Sequence, residues 1–351
     1  MSNPTLSTRD QQVIWHPYTQ HRQADPPIPI IRGEGALLTD EAGNRYIDAI
    51  SSWWVNIHGH AHPYIAEKIH HQALQLEHVI FTGFTHEPAV QLAERLLKIL
   101  PGNFEKMFYS DNGSTAVEVA LKMAIQYWKN KGRGGRNRIL AFRHAYHGDT
   151  FGAMSVSARG LFTEAFRDFL FDVLFIDTPG EDNIDSLKDF VESHSNEIAG
   201  FIYEPLLQAA GGMRMYQAEW LNSLLKTAKE NHILCIADEV LTGFGRTGTL
   251  FAGESMATKA DIICLSKGIT GGTMALGATA CTTEIFDAFL SNDRRNTFFH
   301  GHSYTANPIA CAAGLASLDL LQKETCIARI QAITKANENF LTKGSLKDRQ
   351  D

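Results

Sequence analysis

From about residue 60 onward, short apolar runs alternate with longer amphipathic stretches, and that alternation leaves the chain few architectures. The runs at 106–110, 138–142, 173–177, 199–204, 233–238, 261–265 and 275–281 have strand length, while 87–100, 115–131 and 217–231 read as helices. Continuously apolar strands are buried on both faces, which happens when helices cover both sides of a largely parallel sheet. The expected fold class is therefore α/β, a mostly parallel central sheet flanked by helices. Ahead of it, "GALLTDEAGNRYIDAI" (35–50) places two alternating apolar segments around Asp40-Glu41-Ala42-Gly43, the pattern of a β-hairpin.

In open sheets of this kind ligands sit beyond the carboxyl ends of the strands. Two such ends carry charge. "ILCIADEV" ends on Asp238, and "DIICLSKGITGG" ends on Lys267 in front of a glycine-rich turn. Each has an ordinary explanation: Lys267 as a strand cap reaching water along its stem, Asp238 as a helix cap or an ion pair with Arg246. Together, one strand-helix-strand step apart, they offer a lysine able to form an imine and a carboxylate able to hold a protonated ring nitrogen. Pyridoxal phosphate needs both groups.

"FYSDNGSTAVEVALKMA" (108–124) gives a strand, a polar turn and a helix starting near Thr115. Gly113 and Ser114 would present N–H groups and a hydroxyl to a phosphate there, although a plain N-cap by Ser114 or Thr115 explains the turn equally well. In "FRHAYHGDTFGAMS" (142–155), Tyr146 would lie over a planar ring. His144 and His147 complete no recognised metal-ligand spacing, so no metal is expected. In "SSWWVNIHGHAHP" (51–63), adjacent tryptophans on a strand would point to opposite faces, freeing one of Trp53 and Trp54 for a cleft. Tyr18 in "WHPYTQ" would extend that aromatic wall.

A net charge of −7 favours neither nucleic acid nor an anionic membrane as partner. Five cysteines without a C-x-x-C pair fit a reduced compartment, and no signal core or membrane-spanning run is present in the sequence, so a cytoplasmic location is expected.

The stretches quoted above, with "EPLLQAAGGMRMY", "LSKGITGGTMALGAT" and "HGHSYTANPIACAA", resemble the class III pyridoxal-phosphate aminotransferases of fold type I from about residue 11 to about 320. "WHPYTQ" and "SSWW" resemble more narrowly the branch that converts 8-amino-7-oxononanoate to 7,8-diaminononanoate in biotin synthesis, usually with S-adenosylmethionine as amino donor and in some members lysine. The resemblance implies Lys267 as the lysine bonded to the cofactor and the proton carrier, with Asp238 on the ring nitrogen. It implies Val240 and Tyr146 on the two ring faces, Gly113 and Ser114 on the phosphate, and Glu204 and Gln208 near the cofactor's oxygen. His302 and Ser303 would reach that phosphate from a second subunit of a homodimer. Trp53, Tyr18, Tyr146, Lys267 and Gly301 would line the substrate cleft.

By the same resemblance, residues 1–60 would form the start of a small domain and a cleft segment. Residues 61–315 would form the large cofactor-binding domain, and 316–351 the start of a small domain cut short. Relatives usually continue past this point and supply an arginine for the substrate carboxylate. Arg329, in the preceding helix, does not take its place. "HGHSYTAN" also carries His302 where many members have proline. Two other readings stand beside the first: a different class III ω-aminotransferase, or a cofactor-binding scaffold made inactive by the missing segment.

Overall fold

A computed structural model describes residues 4–342; the polar end of the chain beyond Thr342 lies outside them. The first elements after an N-terminal helix are three short antiparallel strands, β1 (Ile30–Glu34), β2 (Leu37–Asp40) and β3 (Arg45–Ile47), paired in that order. The expected hairpin is β2–β3. Its turn closes on Asp40, whose carboxylate accepts from the N–H groups of Ala42 and Asn44, the Asn44 amide and the Tyr46 hydroxyl at 2.8–3.0 Å.

The centre is a seven-stranded sheet of β4 (Lys106–Ser110), β5 (Arg138–Phe142), β6 (Val173–Ile176), β7 (Ile198–Tyr203), β10 (Leu234–Asp238), β11 (Ile262–Leu265) and β12 (Gly277–Cys281). Two further short strands, β8 (Leu207–Gln208) and β9 (Arg214–Met215), make a separate ribbon. In the large sheet the order is β4-β12-β11-β10-β7-β5-β6, and β12 runs antiparallel to both its neighbours. All seven expected strands are present.

Side chains along these strands alternate between two dry faces, as the two-residue period of a strand requires. Ile139, Ala141, Leu234, Ile236, Ile262 and Cys264 pack beneath the helix Gly113–Asn130. Leu140, Phe142, Cys235, Ala237, Ile263 and Leu265 join the opposite core with Leu92, Leu96, Leu221, Leu224 and Leu318 from the helices Glu87–Ile99, Ala218–Glu230 and Pro308–Leu321.

Three expectations change. The helix expected near Thr115 begins at Gly113, and its cap is Asn112 rather than Ser114 or Thr115: Asn112 Oδ1 accepts from Thr115 N at 3.0 Å while the Thr115 hydroxyl accepts from Asn112 N at 2.9 Å. The connection from β10 to β11 holds only a short 3₁₀ turn, Ala252–Ser255, instead of a helix. That segment is organised by buried Glu239, which accepts from Thr242 Oγ1, Ala252 N and Gly253 N. Finally, Trp53 and Trp54 are not on a strand.

The segment carrying those tryptophans is tied to the far end of the chain by His58. Its Nε2 lies 3.1 Å from the Ser317 carbonyl, which only accepts, so Nε2 carries the hydrogen. Burial first, and His62 second, push the His58 pKa down to about 4. Because an unfolded histidine titrates near 6.5, the unfolded chain binds the extra proton first on acidification. Stability from this site is complete above pH ~6.5 and lost as pH falls toward about 4. Thermal unfolding of cofactor-free protein across that window should show a falling midpoint, and His58→Gln should flatten the fall.

Candidate active site

Strands β10 and β11 are parallel neighbours, with Asp238 opposite Cys264. Lys267, three residues beyond Cys264, therefore emerges at the same sheet edge as Asp238. Both line a cleft of about 740 Å³ with Trp53, Trp54, Gly113, Ser114, Tyr146, Glu204 and Val240.

Lys267 begins a 3₁₀ turn, Lys267–Thr270, with a left-handed φ of 45°, and its Nζ lies 5.2 Å from the centre of the Trp54 ring. Burial lowers its pKa and Arg246 adds to the shift, against the opposing pull of Asp238 and Glu204. A lysine held this way loses its proton more readily than one in water, the condition for a nucleophilic amine.

Asp238 is buried, and its Oδ2 lies 2.6 Å from His147 Nδ1 while Oδ1 accepts from Val240 N at 3.0 Å. The ordinary alternative of an Asp238–Arg246 pair is not what forms: Arg246 donates to the Trp54 carbonyl at 3.1 Å. His147, weighed above as a metal ligand, is instead the partner of Asp238. Its Nε2 is buried with no hydrogen-bond partner among the described residues. Glu204 is also buried and accepts from Tyr146 N and Ala209 N; burial raises its pKa to about 7. Gln208 is fully buried, and neither of its amide atoms has a partner among the described residues.

Across the cleft, Asn112 satisfies the N–H groups of Thr115 and Ala116, so those of Gly113 and Ser114 are the donors at the helix start without a partner among the described residues. Gly113 has to be glycine. A Cβ there would sit 2.7 Å from Val240 Cγ1.

The aromatic wall differs from the strand picture. Ser51, Ser52, Trp53 and Trp54 all have φ between 49° and 65°, one turn of left-handed helix closed by Trp54 N to the Ile50 carbonyl at 2.8 Å. A helical turn does not send neighbours to opposite faces, and both tryptophans line the cleft. Tyr18 packs edge-on to Trp53 at 5.6 Å. Its hydroxyl donates to Asp149, which also accepts from Tyr146 Oη at 2.9 Å. Burial first, then the Tyr18 hydrogen bond and the Asp149 carboxylate, raise the Tyr146 pKa.

Gly301, His302 and Ser303 lie outside this cleft. His302 instead approaches the Asp111 carboxylate at 3.5 Å, beside the turn that carries Gly113. His147 and Asp149 are residues that reading the sequence did not assign to the cofactor site, and Trp54 it offers only as the alternative to Trp53.

The class III aminotransferase family model matches residues 18–350. The adenosylmethionine-8-amino-7-oxononanoate aminotransferase of Synechococcus elongatus is 51% identical over 326 residues, covering 90% of this chain and 77% of that protein. Among solved structures, the protein of that name from Methanocaldococcus jannaschii aligns with a TM-score of 0.90 at 40% identity, over 94% of this chain and 77% of the other. A PLP-bound amine transaminase from an uncultivated Pseudomonas species aligns with a TM-score of 0.82 at 34% identity, over 88% and 74%. This chain belongs to the class III aminotransferases and is a pyridoxal-phosphate-dependent transferase.

The cleft suits that cofactor. It holds a buried carboxylate, a lysine of lowered pKa, and two N–H groups at a helix start where any Cβ on Gly113 would intrude. Within it the His147–Asp238 pair is buried, so Asp238→Ala strands His147 Nδ1. Denaturant unfolding of the cofactor-free protein should show a loss of about 1–3 kcal/mol.

Proposed function

We propose that this class III aminotransferase aminates 8-amino-7-oxononanoate to 7,8-diaminononanoate, with S-adenosylmethionine as the amino donor. The 51% identity to a protein bearing that name carries the substrate assignment. The geometry supports it through an aromatic wall of Trp53 and Trp54, backed by Tyr18 edge-on to Trp53 and suited to an aliphatic chain, with the Asp149 carboxylate at its edge to meet an ammonium.

When bound, pyridoxal phosphate supplies an aldehyde that amines can bond and a ring that withdraws electrons from the carbon losing its proton. Lys267 would hold it covalently. The Lys267 amine, its pKa lowered by burial, would take the proton from the donor's amine-bearing carbon and in the second half-reaction return one to the acceptor's. Asp238 would hold the positive charge of the ring nitrogen, and His147 keeps that carboxylate oriented at 2.6 Å. Gly113 and Ser114 would hold the phosphate with N–H groups aligned by the helix start. Val240 and Tyr146 would flank the ring, with Glu204 and Gln208 near its oxygen. The Trp54 ring lies over Lys267 Nζ, its centre 5.2 Å away.

The working unit is proposed as a cytoplasmic homodimer, in which His302 and Ser303 of each subunit reach the phosphate in the neighbouring subunit, with Gly301 at a substrate cleft. Residues 61–315 would form the large cofactor-binding domain, flanked by parts of a small one. No helix among the described residues is long and apolar enough to cross a membrane.

Borohydride should trap the cofactor on Lys267, and Lys267→Ala should lose both the trapped adduct and all turnover. With 8-amino-7-oxononanoate as acceptor, S-adenosylmethionine should support diamine formation and simple ω-amino acids should not. Turnover of ω-amino acids with indifference to this ketone would mean a general ω-aminotransferase, and cofactor binding without turnover of any donor would mean a scaffold.

A further inference from the structure

The left-handed turn Ser51–Trp54 contains no glycine, so every residue in it carries a steric penalty that something else has to offset. Its main local tie is Asp48. One carboxylate oxygen accepts from Ser52 N at 2.9 Å, and the other accepts from Ser52 Oγ at 2.7 Å and from His60 Nε2 at 2.8 Å. Burial pushes the Asp48 carboxyl up, but the bonds from Ser52 and His60 outweigh it and hold the group ionised.

The residues that follow the turn are seated directly on the loop after Lys267. A Cβ on Gly272 would lie 2.7 Å from the Val55 carbonyl group and 2.6 Å from Asn56 Oδ1, and one on Gly271 would lie 2.9 Å from His58 Cδ2. Arg246 grips the Trp54 carbonyl from the other side. With its backbone held in this hand, the turn lays the Trp54 ring over Lys267 Nζ.

We infer that Asp48 is a positioning residue: by holding Ser51–Trp54 left-handed it keeps Trp54 over the Lys267 amine, an inference that rests on the reading of Lys267 as the reactive lysine. Asp48 itself does not line the cleft. Without its three hydrogen bonds the turn relaxes toward ordinary backbone, Trp54 leaves the amine, and Lys267 becomes more accessible to water.

Competitive acetylation of the full-length, cofactor-free chain, followed by mass spectrometry against pH, reads the access and the titration of Lys267 separately. Asp48→Ala should raise the plateau labelling rate of Lys267 by about fivefold or more and move its titration midpoint up toward the ordinary lysine range. Adding Ser51→Gly to Asp48→Ala should restore both, because glycine adopts the left-handed backbone without penalty. A merely structural role for Asp48 would change folding stability without moving the labelling rate or the titration midpoint of Lys267. If Asp48→Ala does not fold, Asp48→Asn carries the test: it keeps an acceptor for Ser52 N and loses those for Ser52 Oγ and His60, so the same changes should appear at smaller size.

An unchanged Lys267 profile in folded Asp48→Ala or Asp48→Asn overturns the inference, as does failure of Ser51→Gly to restore the double variant. Borohydride trapping of the cofactor on a lysine other than Lys267 would overturn the functional reading instead, and would leave the labelling result intact.

Discussion

The parallel pairing of β10 with β11 is the constraint on which the site depends. Its register sets Asp238 level with Cys264, and the chain then needs only three more residues to bring Lys267 to the same edge. Neither side chain meets the other's charge alone. Burial works against the Lys267 ammonium, Asp238 and Glu204 work for it, and the balance leaves a lysine with a lowered pKa beside an ionisable acid. The same strands supply the dry floor that makes burial possible, with Ile236, Ile262 and Cys264 below one face and Ala237, Ile263 and Leu265 below the other.

Charge in this interior is tolerated only where hydrogen bonds are dense. Glu239 shows the rule in a structural setting: it accepts three bonds, and burial still raises its pKa to about 7. Glu204, with two backbone donors, reaches a similar value from inside the cleft. Asp238 has a histidine at 2.6 Å and one backbone donor. The cleft therefore sets buried carboxylates beside a lysine of lowered pKa, a perturbed cluster of the kind that marks a candidate active site.

The left-handed turn at Ser51–Trp54 is the most costly local feature, at roughly 1–2 kcal/mol for each non-glycine residue. Strain of this kind persists where surrounding contacts over-determine it. Here Asp48, Arg246 and the bare backbone of Gly271 and Gly272 meet that condition. The penalty secures two indole rings on one wall of the cleft, where a strand would have turned one of them away.

Sequence alone determined the sheet and what stands at its ends. Seven apolar runs of strand length each became a strand, because a run buried on both faces has few alternatives, and Asp238, Lys267 and Gly113 kept their places because strand ends and helix starts are local features. What depends on contacts between distant residues was not legible. "SSWW" has no glycine to announce a left-handed backbone, and the groups that hold it include Arg246 and Gly272, about two hundred residues away. His147 carries no mark of its bond to Asp238, ninety-one residues on. Local propensity and period are written in short windows. The hand of a turn and the partner of a buried charge are settled only when the sheet brings those windows together.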